Sequence, residues 1–253
     1  MRTLAVSFIT CALAAALALA QTPDPQSRVL YFTHADTSQR MQEITNIIRS
    51  MADTAATFDA AKKSITVPGN STQIALAEWV LSEMDRATPS GTVTTQSFRD
   101  QRGQVDVVRL FALSHVSSAQ QIMELTNLIR SVADLQRVFP YHALNQLVVR
   151  GGAQQVAIAE WLIQQLDRAP DTAAPDAGTR DIPFGFKGTH TIKVFYLTHA
   201  QSPEQARVVV SQVQGATKID RAPLYNALHA VALRGTADQL TAAAALLKDL
   251  DAR

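Results

Sequence analysis

The chain has 253 residues, 47% of them hydrophobic and 18% charged, with mean hydropathy near zero, which excludes a disordered, fibrous or polytopic membrane protein and allows one or two average domains. Twenty-three Lys and Arg against 22 Asp and Glu leave a formal charge of +1, so there is no overall electrostatic footprint for nucleic acid or an anionic membrane surface. The one cysteine, Cys11, lies near the start, so a disulfide framework or thiolate metal site further along the chain is excluded.

Met1 and Arg2 make a short positive start, Leu4 to Leu17 is apolar and Ala-rich, and Ala18-Leu19-Ala20 places small residues where a signal peptidase reads. The run is shorter than the roughly 20 residues of a spanning helix. A cleaved signal peptide over residues 1–20 is the expectation, with an uncleaved anchor as the alternative. Phe8-Ile9-Thr10-Cys11 does not make a lipoprotein box, because cleavage there would fall inside the apolar run and Thr10 stands where a smaller residue is wanted. The protein is thus expected to be exported, periplasmic or outer-membrane associated, with no membrane span after cleavage.

Beyond the leader the sequence repeats three times. Leu30-Tyr-Phe-Thr-His34 recurs as Phe111-Ala-Leu-Ser-His115 and Phe195-Tyr-Leu-Thr-His199. Each His is followed by a Gly (Gly69, Gly151, Gly235), and an Asp closes each unit sixteen residues later, at Asp85, Asp167 and Asp251. Glu43 to Asp53 matches Glu124 to Asp134 at eight of eleven positions, whereas the third copy diverges and has Ala243 to Ala245 where the others have Ala-Glu-Trp.

Within each unit a β-branched and aromatic run ahead of the His reads as a buried strand. Thr37, Ser118 and Ser202 stand at N-cap positions, with Gln121 and Gln205 completing capping boxes. Met41, Ile44, Ile48 and Met51, like Ile122, Leu125, Ile129 and Val132, give the following helix one core-facing stripe. Strands are expected at 64–67, 146–149 and 230–233, each paired in a hairpin with a shorter strand near 56–59, 137–141 and 217–221. A second helix then runs to the closing Asp. The predicted class is α+β, three tandem βαββα units over residues 28–86, 105–168 and 190–252, each a three-stranded sheet covered on one face by two helices. The Pro-, Gly- and Thr-rich linkers, 87–104 and 169–189, add an extra edge strand to units 2 and 3.

A strand ending in Thr or Ser before His, an amphipathic helix, then Asn145-Gln-Leu-Val-Val-Arg-Gly151 and a helix ending in Leu166-Asp167 resembles the short periplasmic N-domain of bacterial secretins, the NolW-like unit. Repeat three keeps Asn226 and Ala232-Leu-Arg-Gly235; repeat one has Pro68 where Arg is expected. The resemblance implies a module that packs into the periplasmic vestibule of channels for type II or III secretion or type IV pilus assembly. It extends over nearly all of residues 28–251 and does not include the secretin barrel, which points to a stand-alone partner or scaffold.

His34, His115 and His199 invite a metal or acid-base reading, but each marks the equivalent corner of a different unit and no carboxylate or Cys recurs beside them, so they read as corner residues. Thr or Ser adjacent to His on a strand sends the two side chains to opposite faces, against a nucleophile and base. Gly185-Phe-Lys-Gly188 has the GxxG spelling of a KH clamp without its flanking helices or basic surround. No catalytic residue, cofactor or metal is expected. Trp79 and Trp161 hold equivalent places in the second helices, either in a wide core face or at a unit or partner interface, and with Arg150 and Arg234, each just before its Gly, they are the candidate interface residues.

The functional expectation is a non-catalytic repeat protein acting by protein-protein contact in a cell-envelope secretion or pilus assembly, with an envelope partner such as a secretin or a further copy of itself and no nucleic acid. The alternative is a periplasmic binding protein for a peptide, glycan or metal held in clefts between units.

Overall fold

The computed structural model describes residues 26–88, 93–99, 103–169, 179–183, 189–200 and 202–252. The leader and the Gly185 to Gly188 segment lie outside them. Unit 1 is β1 (Gln26–Tyr31), α1 (Ser38–Ala52), β2 (Thr57–Asp59), β3 (Ser64–Gly69) and α2 (Ser71–Met84). Unit 2 is β4 (Thr94–Arg99), β5 (Val105–Ala112), α3 (Ala119–Ala133), β6 (Arg137–Tyr141), β7 (Gln146–Gly151) and α4 (Ala153–Leu166). Unit 3 is β8 (Thr179–Pro183), β9 (Thr189–Tyr196), α5 (Pro203–Thr217), β10 (Leu224–Tyr225), β11 (Ala230–Gly235) and α6 (Ala237–Asp251). The three antiparallel sheets run β1-β3-β2, β4-β5-β7-β6 and β8-β9-β11-β10, so the linker strands do extend units 2 and 3 to four strands. Among the described residues no helix is long and apolar enough to cross a membrane.

Local chemistry accounts for the helix ends. The side chains of Thr37, Ser118 and Ser202 accept from the N3 amides of Arg40, Gln121 and Gln205, and the two glutamines return the bond to the cap amide, at 3.1 and 3.2 Å. Asp53, Asp134 and Lys218 end the first helices in the left-handed conformation. At Gly151 a Cβ would meet Leu135 Cδ2, so any larger residue there would push the buried Leu135 side chain out of its place.

One strand lies elsewhere than expected. In unit 3 the helical stripe of Val209, Val213 and Thr217 carries α5 through Thr217, and the short strand forms at Leu224–Tyr225, leaving Arg221 a lone bridge to Arg234.

The larger departure is that the units are not separately packed. Alternate residues of β5 face opposite ways: Phe111 joins the core beneath α3 and α4, while Val108 and Leu110 join the core of unit 1, together with Phe98, Tyr141, Leu144 and Val148. Unit 2 in turn buries Ile192, Val194, Tyr225, Ala230 and Ala232 of unit 3. Each later sheet therefore has helices on both faces, its own on one and the preceding unit's on the other. The third core contains unit 3 residues alone.

Candidate interaction sites at the unit joints

The repeated Asp and His build each unit's corner. The Asp85 carboxylate accepts from the amides of Thr33, His34 (2.9 Å) and Ala35 (2.6 Å); Asp167 accepts from Ser114, His115 and Val116; and Asp251 accepts from Thr198, His199 and Ala200. Three successive amides converging on one carboxylate form an anion-holding nest within the fold. For Asp251, burial opposes the charge. The amides of Thr198, Ala200 and His199 and the Thr198 hydroxyl outweigh it and hold the carboxyl below its ordinary range.

The histidine rings sit beside these nests. His34 Nδ1 lies 2.8 Å from the Asp85 carbonyl oxygen and His115 Nδ1 3.2 Å from that of Asp167. In unit 3 the expected divergence of Thr and His does not occur: Thr198 Oγ1 and His199 Nδ1 are 2.9 Å apart, because both lie past the end of β9 where strand alternation no longer holds. The Thr198 hydroxyl also lies 2.9 Å from Asp251 Oδ2, to which it donates. Among the described residues there is no group of three or more His, Cys, Asp and Glu that could hold a metal ion.

The candidate arginines lie where two units meet. Arg150 comes off the end of β7 with its side chain 1% exposed; Nη1 donates to the Met51 carbonyl oxygen at the end of α1 and to Asp53 Oδ2 at 2.8 Å, and Nε donates to Asp106 at 2.9 Å. The guanidinium lies 4.1 Å from the centre of the Phe98 ring. Arg234, 5% exposed, repeats the arrangement one unit on, donating to Val132 O at 2.9 Å and Asp134 Oδ2 at 2.7 Å. In both joints a cation meets the carbonyl end of the preceding unit's first helix, where the backbone dipoles favour it. Arg137 and Arg221 supply a second cation to the same aspartates.

Each joint also has a tyrosine and a glutamate that sequence reasoning did not single out. Tyr141 and Tyr225 end the short strands β6 and β10 and are 0% and 1% exposed. Tyr141 accepts from Arg40 Nε at 2.8 Å. Burial raises the Tyr225 phenol well above its ordinary range, with the Asp167 and Glu124 carboxylates of unit 2 adding to the effect. In the turn after each tyrosine, Glu43 accepts from the His142 amide at 3.0 Å, and Glu124 accepts from the Asn226 amide at 3.0 Å and its Nδ2 at 2.8 Å. The signal was present in the sequence: Glu43 with Asp53 and Glu124 with Asp134 recur in copies one and two and become Val208 and Lys218 in copy three. Trp79 and Trp161 are half-buried against the two cores that straddle the joints, and their counterpart Ala245 is exposed.

No protein-family model matches the chain, and no curated protein is similar to it in sequence. Similar solved structures include ExeD of Aeromonas hydrophila, 17% identical over 89% of this chain and 41% of that one with a TM-score of 0.21. The N-terminal domain of the secretin XcpQ from Pseudomonas aeruginosa is 18% identical over 62% of this chain and 70% of that one, TM-score 0.24. Dim2p from Pyrococcus horikoshii OT3 is 11% identical over 60% of this chain and 93% of that one, TM-score 0.31. The chain spans about two-fifths of the ExeD chain it matches. At these TM-scores the alignments mark structures to which the chain is similar and carry no argument about its activity.

Proposed function

We propose that the protein is a non-catalytic, exported scaffold of three secretin-N-like units, over residues 28–86, 105–168 and 190–252, that works by protein-protein contact in a cell-envelope secretion or pilus assembly. The observation that carries this reading is the joint: the same Arg–Asp and Glu–turn contacts, used twice with a buried tyrosine beside each, fix three small units into one stack whose outer surfaces keep a constant relation to each other. Such a body is suited to holding partners at set positions. In this reading Arg150, Arg234, Trp79 and Trp161 are interface residues within the chain, and partners are met on the outer faces. The alternative is a ligand held in clefts between units: Tyr141 and Tyr225 bury themselves in the joints, while a cavity of about 350 Å³ lined by Asp134, Arg221, Arg234 and Gln239 stands at the second one.

The test is export and contact together. The tagged chain should appear in the periplasmic or outer-membrane fraction, and a photo-crosslinker at exposed Val29 or Val208 should join it to a defined envelope component. A cytoplasmic, strictly monomeric protein with no crosslinked product would sink the proposal. Thermal shift against metals, peptides and cell-wall fragments separates the binding-protein alternative, which requires stabilisation that mutating His115 or Trp161 removes.

A further inference from the structure

The three sheets differ at one edge. In unit 2, β4 lies antiparallel to β5 with Thr95 opposite Arg109; in unit 3, β8 lies on β9 with Thr179 opposite Lys193. The counterpart of Arg109 and Lys193 in unit 1 is Arg28 on β1, and β1 ends its sheet with β3 as its single partner among the described residues. Among the described residues, the edge that seats a fourth strand in two units carries none in the first.

The contacts that receive the strand are already arranged there. In unit 2, Arg109 donates through Nη1 to Glu160 and through Nε to the Thr95 hydroxyl at 3.0 Å, and its side chain is 22% exposed. In unit 1, Arg28 Nε pairs with the equivalent Glu78 at 3.0 Å, but Arg28 is 63% exposed. A groove lined by Arg28, Val29, Tyr31, Glu78, Leu81 and Ser82 runs along this edge beside α2. The Phe32 amide donates to Lys63 O, so Phe32 faces β3, and by antiparallel alternation the amides and carbonyls of Ser27, Val29 and Tyr31 point outward. Unpaired edge groups of this kind are a template for another strand.

We propose that the open edge of β1 is a strand-acceptor site, taking an extended segment of a partner polypeptide, antiparallel to β1, with a Thr or Ser hydroxyl opposite Arg28. The occupant is inferred from the two strands of this chain that fill the same slot in units 2 and 3. The inference deepens the scaffold reading and rests on it for its biological setting.

The probe is a capped synthetic peptide with the sequence of residues 93–99, Val-Thr-Thr-Gln-Ser-Phe-Arg, titrated into the mature chain while amide exchange is followed by NMR. The Ser27, Val29 and Tyr31 amides should gain at least about tenfold protection, in keeping with a newly formed ladder. Val29→Pro removes an outward amide without touching the β1 to β3 ladder, and should abolish binding. Arg28→Ala, or valine at the peptide's second Thr, should weaken it several-fold. No protection at millimolar peptide, or binding untouched by Val29→Pro, overturns the proposal. So does an edge already protected in the free protein: light scattering then separates a second copy, a dimer that Val29→Pro dissociates, from occupation by residues before Gln26 of the same chain. A failed titration leaves the scaffold reading intact, because crosslinking at Val208 probes a different face.

Discussion

Helices α3 and α5 occupy the same place in successive units and present opposite surfaces. On α3, Leu128 and Val132 are fully buried beneath unit 3, Glu124 holds the Asn226 turn and Asp134 receives Arg234. On α5 these positions are Gln212, Ala216, Val208 and Lys218, all exposed, Val208 at 57%. The other end shows the same edit in reverse: Tyr141, Val148 and Arg150, which insert into the preceding unit, correspond to Asp59, Thr66 and Pro68 on the outer face of unit 1. Copies of one fold have therefore been given a joint only where a neighbour exists.

Truncating a joint tyrosine should separate the faces most sharply. Tyr141→Ala removes a wholly buried ring and is expected to cost about 3–5 kcal/mol in urea unfolding, whereas Asp59→Ala at the equivalent position of unit 1, which gives up only exposed turn bonds to the Ala61 and Lys62 amides, should cost about 1 kcal/mol or less. Equal losses at both positions would mean that the tyrosine stabilises its own strand pair and not the joint.

The arginines follow. Arg150→Ala leaves the Met51 carbonyl and part of Asp53 without a donor, though Asp53 is partly exposed and keeps Arg137, so the expected loss is about 2–3 kcal/mol, with a matching loss for Arg234→Ala. Pro68→Ala should show no comparable effect. If the joints carry the rigidity of the stack, Arg150→Ala should also raise amide exchange in α1 and β7 while leaving α6 unchanged.

Much of this was legible before any coordinates. The period-3.6 and period-2 patterns, the capping residues and the repeat itself located the helices and most strands, because each reports a local preference. The linker strands were also readable, since Thr92 to Phe98 alternates. What could not be read was the second use of each sheet: Val108 and Leu110 look like any buried strand residues, and nothing local says that they join the core of another unit. Arg150 and Arg234 were visible as residues, but the acceptors they meet in the preceding unit, Asp53 and Asp134, lie 97 and 100 positions away. The joint became readable only in the places where the third copy departs from the first two.

The corner of unit 3 responds to pH in a direction fixed by its chemistry. Asp251 has its folded carboxyl held below the ordinary range, so its contribution is fully present above the unfolded value of roughly 3.9 and is lost as pH falls through the folded value. Asp251→Asn should therefore flatten the acid limb of a stability-against-pH curve below about pH 4 and lower the plateau at neutral pH. An acid limb unchanged by the substitution would show that the nest holds the carboxyl without discriminating its charge.

An exchange of a single residue between the two helices tests the comparison most directly. Asp134→Lys places a like charge against Arg221 and the buried Arg234, and should cost about 2–3 kcal/mol. Lys218→Asp makes the reverse exchange on α5, where Lys218 is exposed at the same left-handed cap, and should change stability by less than about 0.5 kcal/mol. Asp tolerates that backbone conformation, as Asp53 and Asp134 show, so strain does not confound the result. Comparable losses for the two substitutions would place the importance of this position in the helix end itself. A large loss confined to Asp134 places it in the contact with the next unit.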